Sequence, residues 1–332
     1  MGIDLLALEP HKVSRDLSGY VTFIYGAPKT GKTTLASQMP NSLLLAFERG
    51  YNALPGIIAQ DITSWTDMKT IYRELKKPEV QARFKCLIVD TVDIASDLCQ
   101  KWICNQLGIE NIGDGGWSTN GWAKFKKEFE ETFRGLTQMG YAVFFISHAK
   151  ETTEKDEQGN DRMLIRPSLS TAARGIIENM ADIYGYAHPV RRDGKTTVKL
   201  TLRDPDGTIT CGGRFKYIAP EIDFNYDALV SALSEAVDKE AAEHDNKFVT
   251  NDRELAPIEK TYDYDALMKE FSDNIGVLMA KNPEYYQPRI TQIIDKYLGK
   301  GKKISEAIRD QAEFISLIVD EINETLMKDV AK

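Results

Sequence analysis

At 332 residues, with 42% hydrophobic and 28% charged positions, the chain has the ordinary composition of a soluble globular protein with room for one large core and an appendage. A net charge of −8 and a pI near 5.3 exclude a broadly basic surface that coats nucleic acid and leave only a local basic groove open. No apolar run reaches bilayer length, residues 1–16 lack a basic-then-apolar leader, and Cys86, Cys99, Cys104 and Cys211 form no CxxC pair or Cys/His cluster, so reduced thiols in a cytoplasm are expected.

In chain order, residues 20–25 (YVTFIY) are β-branched and aromatic and run into a Gly/Pro/Lys turn, which reads as a strand and then a loop. Further short apolar runs are Leu43–Phe47, ending at Glu48-Arg49-Gly50; Cys86–Val89, ending at Asp90; and Ala142–Ile146, ending at Ser147-His148. Helical segments at Thr33–Gln38, Trp65–Lys76, Ile94–Leu107 and Gly121–Gln138 separate them. Short buried runs alternating with helices imply an α/β fold with a mainly parallel sheet covered on both faces. After residue 150 a polar excursion turns at Gln158-Gly159-Asn160, in hairpin fashion, and Ser170–Asn179 reads as a short helix. Asp182–Ala187, Thr196–Leu202 and Phe215–Ile218 look like antiparallel additions to the sheet edge, with turns at Asp193-Gly194 and Asp206-Gly207. Residues 238–261 are charged and poor in apolar side chains, and read as a linker between a core at 1–237 and a helical C-terminal domain at 262–332. The helical period there runs through Leu267, Phe271, Ile275 and Leu278, then Ile290, Ile293, Ile294 and Tyr297, then Phe314, Ile318, Ile322 and Leu326.

Gly26-Ala27-Pro28-Lys29-Thr30-Gly31-Lys32-Thr33 fits GxxxxGK[ST] at every required position, after a strand and before a helix. Glycines let main-chain N–H groups wrap a β-phosphate, Lys32 brings an ammonium to the β/γ oxygens, and the Thr33 hydroxyl is a hard ligand for Mg²⁺. Residues 26–33 with Thr34 are therefore the expected contacts for ATP. Leu87-Ile88-Val89-Asp90 ends an apolar strand in an acid that can hold the same Mg²⁺; the competing reading has Asp90 capping the next helix. Many P-loop ATPases carry Glu directly after this Asp, but here that position is Thr91, so the base for water comes from elsewhere. Glu48, at the end of the second strand, is the best placed; the plainer reading pairs it with Arg49.

With the P-loop, Phe47-Glu48-Arg49-Gly50-Tyr51-Asn52-Ala53-Leu54, Leu87–Asp90 with Thr91, and Phe144–His148 in view, residues 15–225 resemble a RecA-type ATPase core, closest to the phage-encoded RecA-like recombination ATPases that serve with single-strand annealing systems. The resemblance implies a RecA-like P-loop fold, hydrolysis of ATP to ADP and phosphate, and homo-oligomeric rings or filaments. It also implies single-stranded DNA and phage recombination or replication proteins as partners, in the host cytoplasm. It maps the catalytic Glu onto Glu48, the γ-phosphate sensor onto Ser147 and His148, and a cation donated in trans onto Arg203 or Arg214. Each has a plainer alternative: a packed histidine at a strand end, or a solvated arginine. The chain departs from that family in having His148 where Gln or Asn is usual, and in a 150–166 segment whose acids outnumber its bases.

For DNA, residues 111–127 combine Gly113, Gly115 and Gly116 with Trp117, Trp122, Lys124, Lys126 and Lys127, the aromatic-plus-cation pattern of single-strand binding. Glu128, Glu130 and Glu131 follow directly, so the same lysines also fit a solvated helix face. Gly299-Lys300-Gly301-Lys302-Lys303 is a second basic patch that reads equally as a loop. A helicase-like motor or loader, and an ATP-gated binding module with little hydrolysis, share these elements.

Overall fold

The computed structural model describes residues 9–114, 116–155, 158–192, 194–253 and 262–328. Among these, 10–253 and 262–328 form two separate compact units.

The larger unit opens with β1 (Val13–Ser14), β2 (Thr22–Gly26), α1 (Lys32–Ala36), β3 (Ser42–Ala46) and β4 (Ala59–Asp61). Then come α2 (Trp65–Leu75), α3 (Pro78–Arg83), β5 (Cys86–Asp90), α4 (Val92–Leu107), α5 (Gly116–Thr119) and α6 (Gly121–Gln138). It continues through β6 (Ala142–Lys155), β7 (Asp161–Pro167), α7 (Thr171–Met180), β8 (Ile183–Arg192) and β9 (Lys195–Thr201). It ends in β10 (Gly212–Gly213), β11 (Glu221–Asp223), α8 (Tyr226–Ala242) and β12 (Val249–Thr250).

The main path of the sheet is β11-β9-β8-β2-β6-β5-β3-β4, parallel from β8 to β4 and antiparallel at β9 and β11. This is the α/β architecture expected from the sequence, a mainly parallel sheet covered by helices, in which the P-loop strand β2 is separated from the acid-bearing strand β5 by β6. Strands buried on both faces need apolar residues at every position, and alternation then sorts them by face. Phe23, Tyr25, Leu87, Val89 and Phe145 pack under α2, α4, α6 and α7; Ile24, Cys86, Ile88, Phe144 and Leu200 pack under α1 and α8. Phe125, Phe129 and Phe133 recur every four residues along α6 and are fully buried, each stabilising the unit by roughly 1.5–3 kcal/mol.

Several sequence expectations change. The strand begun at Ala142 does not stop at Ser147-His148 but continues to Lys155 and pairs with β7, because the alternating residues 149–155 find a partner strand in 161–167. β8 joins β2 in parallel, not antiparallel. Phe215–Ile218 forms no strand: Ile218 N–H donates to the Phe215 carbonyl in a turn, Phe215 packs edge-on against Tyr20, and the edge pairing falls to β10 and β11. Of the stretch 238–261, residues 238–253 belong to the core. α8 runs to Ala242, Val249–Thr250 pairs with β1, and the Arg253 guanidinium donates to the carbonyls of Ser18 and Lys85 at 2.8 and 3.0 Å and to that of Gly140. Residues 254–261 of the expected linker, Asp193 of the expected turn, Gly115 and the side chain of Trp117 lie outside the described residues. The four cysteines are free, and burial pushes the Cys86 thiol up to about 12 and Cys211 up to about 11.

The smaller unit contains α9 (Tyr264–Lys281), α10 (Pro283–Leu298) and α11 (Ala312–Ile322), packed around Phe271, Leu278, Ile290, Ile293, Ile318 and Ile322. Of the expected stripe Phe314, Ile318, Ile322 and Leu326, the last three are buried, whereas Phe314 is 43% exposed and its neighbour Ile315 takes that core position.

Candidate active site

β2 delivers Gly26 to the edge of the sheet between His148 on β6 and Ala187 on β8. A Cβ at Gly26 would stand 2.3 Å from the Ala187 carbonyl oxygen, so the strand pairing requires glycine there. The loop then turns through positive φ at Lys29 (64°) and Gly31 (89°), a conformation that aims successive N–H groups inward as an anion nest. α1 is only five residues long, so the loop amides and Lys32 carry most of the positive potential here, with little from a helix dipole. Lys32 is 6% exposed, and its Nζ donates to the carbonyls of Gly26 and Ala27 at 3.0 and 2.8 Å, with Thr30 Oγ1 at 3.4 Å. Burial lowers its pKa, opposed by the charges of Asp90, Asp93 and Glu48.

Thr33 Oγ1 donates to Asp90 Oδ2 at 2.7 Å. Burial raises the Asp90 pKa and Glu48 adds to that rise, while the Thr33 hydrogen bond, Lys32 and His148 oppose it. Asp90 does not cap α4, whose N-cap is Thr91. Across from the pair, a Cβ on Gly50 would lie 3.8 Å from Asp90 Oδ2 and 3.9 Å from Thr33 Oγ1. No group of three or more His, Cys, Asp or Glu able to hold a metal exists among the described residues. Two hard oxygens beside a phosphate-gripping loop, with the other ligands left to phosphate and water, fit Mg²⁺.

The Asp90 carbonyl accepts from the N–H groups of Phe47 and Glu48, at 2.8 and 3.0 Å, and so fixes the start of the loop that carries Glu48. Glu48 Oε2 lies 3.3 Å from His148 Nε2, bridging the carboxyl end of β3 and the middle of β6. Arg49 pairs with Asp61 at 3.2 Å, leaving Glu48 free of its neighbour. These groups surround a cleft of about 430 Å³ whose walls include Pro28, Lys29, Gly31–Thr34, Glu48, Asp90, Thr91 and His148.

Ser147 is not on that wall. It is fully buried, and its hydroxyl donates to Asp93 Oδ1 at 3.0 Å. Asp93 also accepts from Ser168 Oγ and, at 3.2 Å, from the His148 N–H. Of the expected sensor pair, only His148 faces the cleft; Ser147 holds the strand. Asp93 escaped the sequence reading because, beside Asp90, it looks like another capping oxygen in the first turn of α4.

The AAA domain family matches residues 18–214, from before β2 to just after β10. The chain belongs to that family. The SPbeta prophage-derived uncharacterized protein YorG of Bacillus subtilis (strain 168) is 29% identical over 333 residues, covering 98% of this chain and 99% of that one. The KaiC-like protein PH0186 of Pyrococcus horikoshii OT3 aligns over 63% of this chain and 96% of its own, with 15% identity and a TM-score of 0.35.

The two arginines expected to act in trans lie outside this AAA domain's own cleft. Arg203 donates to the carbonyls of Gly213 and Phe215 at 3.1 and 2.8 Å. Arg214 pairs with Asp182 at 3.2 Å; Asp182 also accepts from Val21 N–H, at the end of β2 away from the P-loop. On α6, Trp122 is 41% exposed and Lys124 and Lys126 are exposed, while Lys127 pairs with Glu131 and Arg134 with Glu130. Lys300, Lys302 and Lys303 are exposed in the smaller unit. No helix among the described residues is long and apolar enough to cross a membrane.

Proposed function

We propose that this AAA-family chain binds ATP with Mg²⁺ in the 430 Å³ cleft, hydrolyses it to ADP and phosphate, and works as a ring or filament on single-stranded DNA in phage-type recombination or replication within the host cytoplasm. The observation that carries the catalytic part is the convergence of Lys32, the Thr33–Asp90 pair and Glu48 on one cavity. Lys32 and the loop amides grip the β- and γ-phosphates. Thr33 and Asp90 would hold Mg²⁺, which supplies charge neutralisation at the phosphate oxygens. Glu48 takes the proton of the attacking water, and His148 beside it reads the γ-phosphate.

The DNA part is supported by the prophage origin of the Bacillus subtilis relative and by a groove of about 580 Å³ between α6 and α7, where exposed Trp122 and Lys126 offer a stacking face and a cation. A second reading, an ATP-gated module for a protein partner, is favoured by how many basic groups are already paired. Arg166 meets Glu154, Lys155 meets Asp161, and Arg162 donates to the Asp206 carbonyl. ATP turnover with and without single-stranded DNA at low salt separates the two. Stimulation supports the DNA reading; unchanged turnover removes it and leaves the ATPase standing.

A further inference from the structure

Thr91 stands at the N-cap of α4 with φ −107° and ψ 152°, the backbone geometry from which a threonine hydroxyl ordinarily accepts an amide of the first helical turn. It makes no such bond. Thr91 is 1% exposed, yet its Oγ1 has no hydrogen-bond partner among the described residues. Buried hydroxyls are nearly always paired, because an unpaired one loses its hydration without recompense. Thr91 is part of the wall of the cleft.

The sheet register fixes what lies around it. Asp90 is level with Ala46 on β3 and with Ile146 on β6. One residue further on, Thr91 sits between the segment rising to Glu48 and the strand rising to His148, whose side chains meet at 3.3 Å. His148 Nδ1, on the same wall, is also buried and without a partner among the described residues.

We propose that Thr91 Oγ1 positions the water that attacks the γ-phosphate, an inference that rests on reading the cleft as an ATPase site with Glu48 as its base. The water donates one hydrogen to the Glu48 carboxylate and the other to Thr91 Oγ1, which leaves a lone pair directed at phosphorus. As the new O–P bond forms, the bond from the γ-phosphorus to the bridging oxygen breaks and its electron pair leaves with ADP. The water's proton passes to Glu48 and on to solvent. A buried hydroxyl held apart from the helix cap thus does the orienting that an acid at this position does in other P-loop ATPases.

Thr91→Val removes only the hydroxyl, and Thr91→Ser restores it. The test measures ATP turnover, affinity for ADP with Mg²⁺, and melting temperature for both variants and the wild type. Thr91→Val should lose turnover by about tenfold or more, with ADP affinity kept within about twofold and melting temperature not lowered, and Thr91→Ser should stay within about threefold of wild type. A Thr91→Val protein that turns over at the wild-type rate overturns the proposal while leaving the ATPase reading intact. So does one that loses turnover, affinity and melting temperature together, since a purely structural threonine behaves that way. A wild type that binds ATP without hydrolysing it overturns both.

Discussion

Replacing Asp93 with alanine is the most informative perturbation of the larger unit. Its carboxylate accepts three hydrogen bonds, from Ser147 Oγ, Ser168 Oγ and His148 N–H. Hydrogen bonds to a charged acceptor contribute about 1.5–3 kcal/mol each, but the three do not count equally. The Ser147 hydroxyl has a second acceptor, the His148 carbonyl at 3.1 Å, and Ser168 is only half-buried, so both recover part of the loss. The His148 N–H donates to the other carboxylate oxygen, Asp93 Oδ2, at 3.2 Å. Asp93→Ala should therefore destabilise the unit by about 2–4 kcal/mol, and Asp93→Asn, which keeps one acceptor oxygen, by about half as much. Urea unfolding followed by tryptophan fluorescence reads this directly. Because the freed His148 no longer meets Glu48 at 3.3 Å, ATP turnover should also fall about tenfold in Asp93→Asn with nucleotide affinity retained. A loss of less than about 0.5 kcal/mol in Asp93→Ala would refute the reasoning, since that is the range of an ordinary surface change.

Asp90→Asn should leave the nucleotide-free protein as stable as wild type or more so near neutral pH, while removing the Mg²⁺-dependent part of nucleotide affinity. Burial raises the Asp90 pKa, so its contribution to stability is full below the unfolded carboxyl pKa and is lost as pH rises through the folded value; melting curves from pH 4 to 8 should show a shallower decline in the variant. Gly26→Ala puts a Cβ 2.3 Å from the Ala187 carbonyl oxygen, which forces β2 and β8 apart. A loss of about 2 kcal/mol or more by urea unfolding, together with lost ATP binding by titration calorimetry, is the expected result.

The P-loop turn was legible because it is local. Eight consecutive residues contain the glycine turns, the ammonium and the hydroxyl, and the strand that must precede them is a run of β-branched and aromatic residues. Asp90 and Glu48 were legible for a similar reason: each ends an apolar run, and parallel strands bring such ends to one edge. What was not legible depends on contacts between residues far apart in the chain. Ser147 reads as a sensor in the sequence, and only the acceptor 54 positions earlier shows that its hydroxyl is turned away from the cleft. The charged segment after 237 reads as a linker because its composition is that of one. Arg253 nevertheless reaches carbonyls at Ser18, Lys85 and Gly140, an anchorage that no local pattern announces. Phe215–Ile218 shows the converse error, where strand-forming residues form a turn because their aromatic ring is taken up by Tyr20.

The two halves of the cleft are accordingly built in different ways, and their failures should separate. The binding half, Gly26 to Thr34, is one continuous turn whose shape is set by its own glycines. The half that carries Glu48 and His148 is assembled from three strands by two acceptors on one short segment. The Asp90 carbonyl holds the Glu48 loop through two N–H groups, and the Asp93 carboxylate holds His148 and Ser147. His148 is also not a strand terminus. β6 continues beyond it into the ribbon with β7, the His148 carbonyl accepts from Ser168 N–H at 2.8 Å, and Lys150 Nζ donates to the carbonyls of Ser168 and Leu169. The His148 position on the cleft wall and the root of the β6–β7 ribbon are therefore one hydrogen-bonded piece, with Asp93 as its fixed point. Substitutions within 26–34 should act first on nucleotide affinity, whereas substitutions at Asp93 or Ser168 should act on turnover at unchanged affinity.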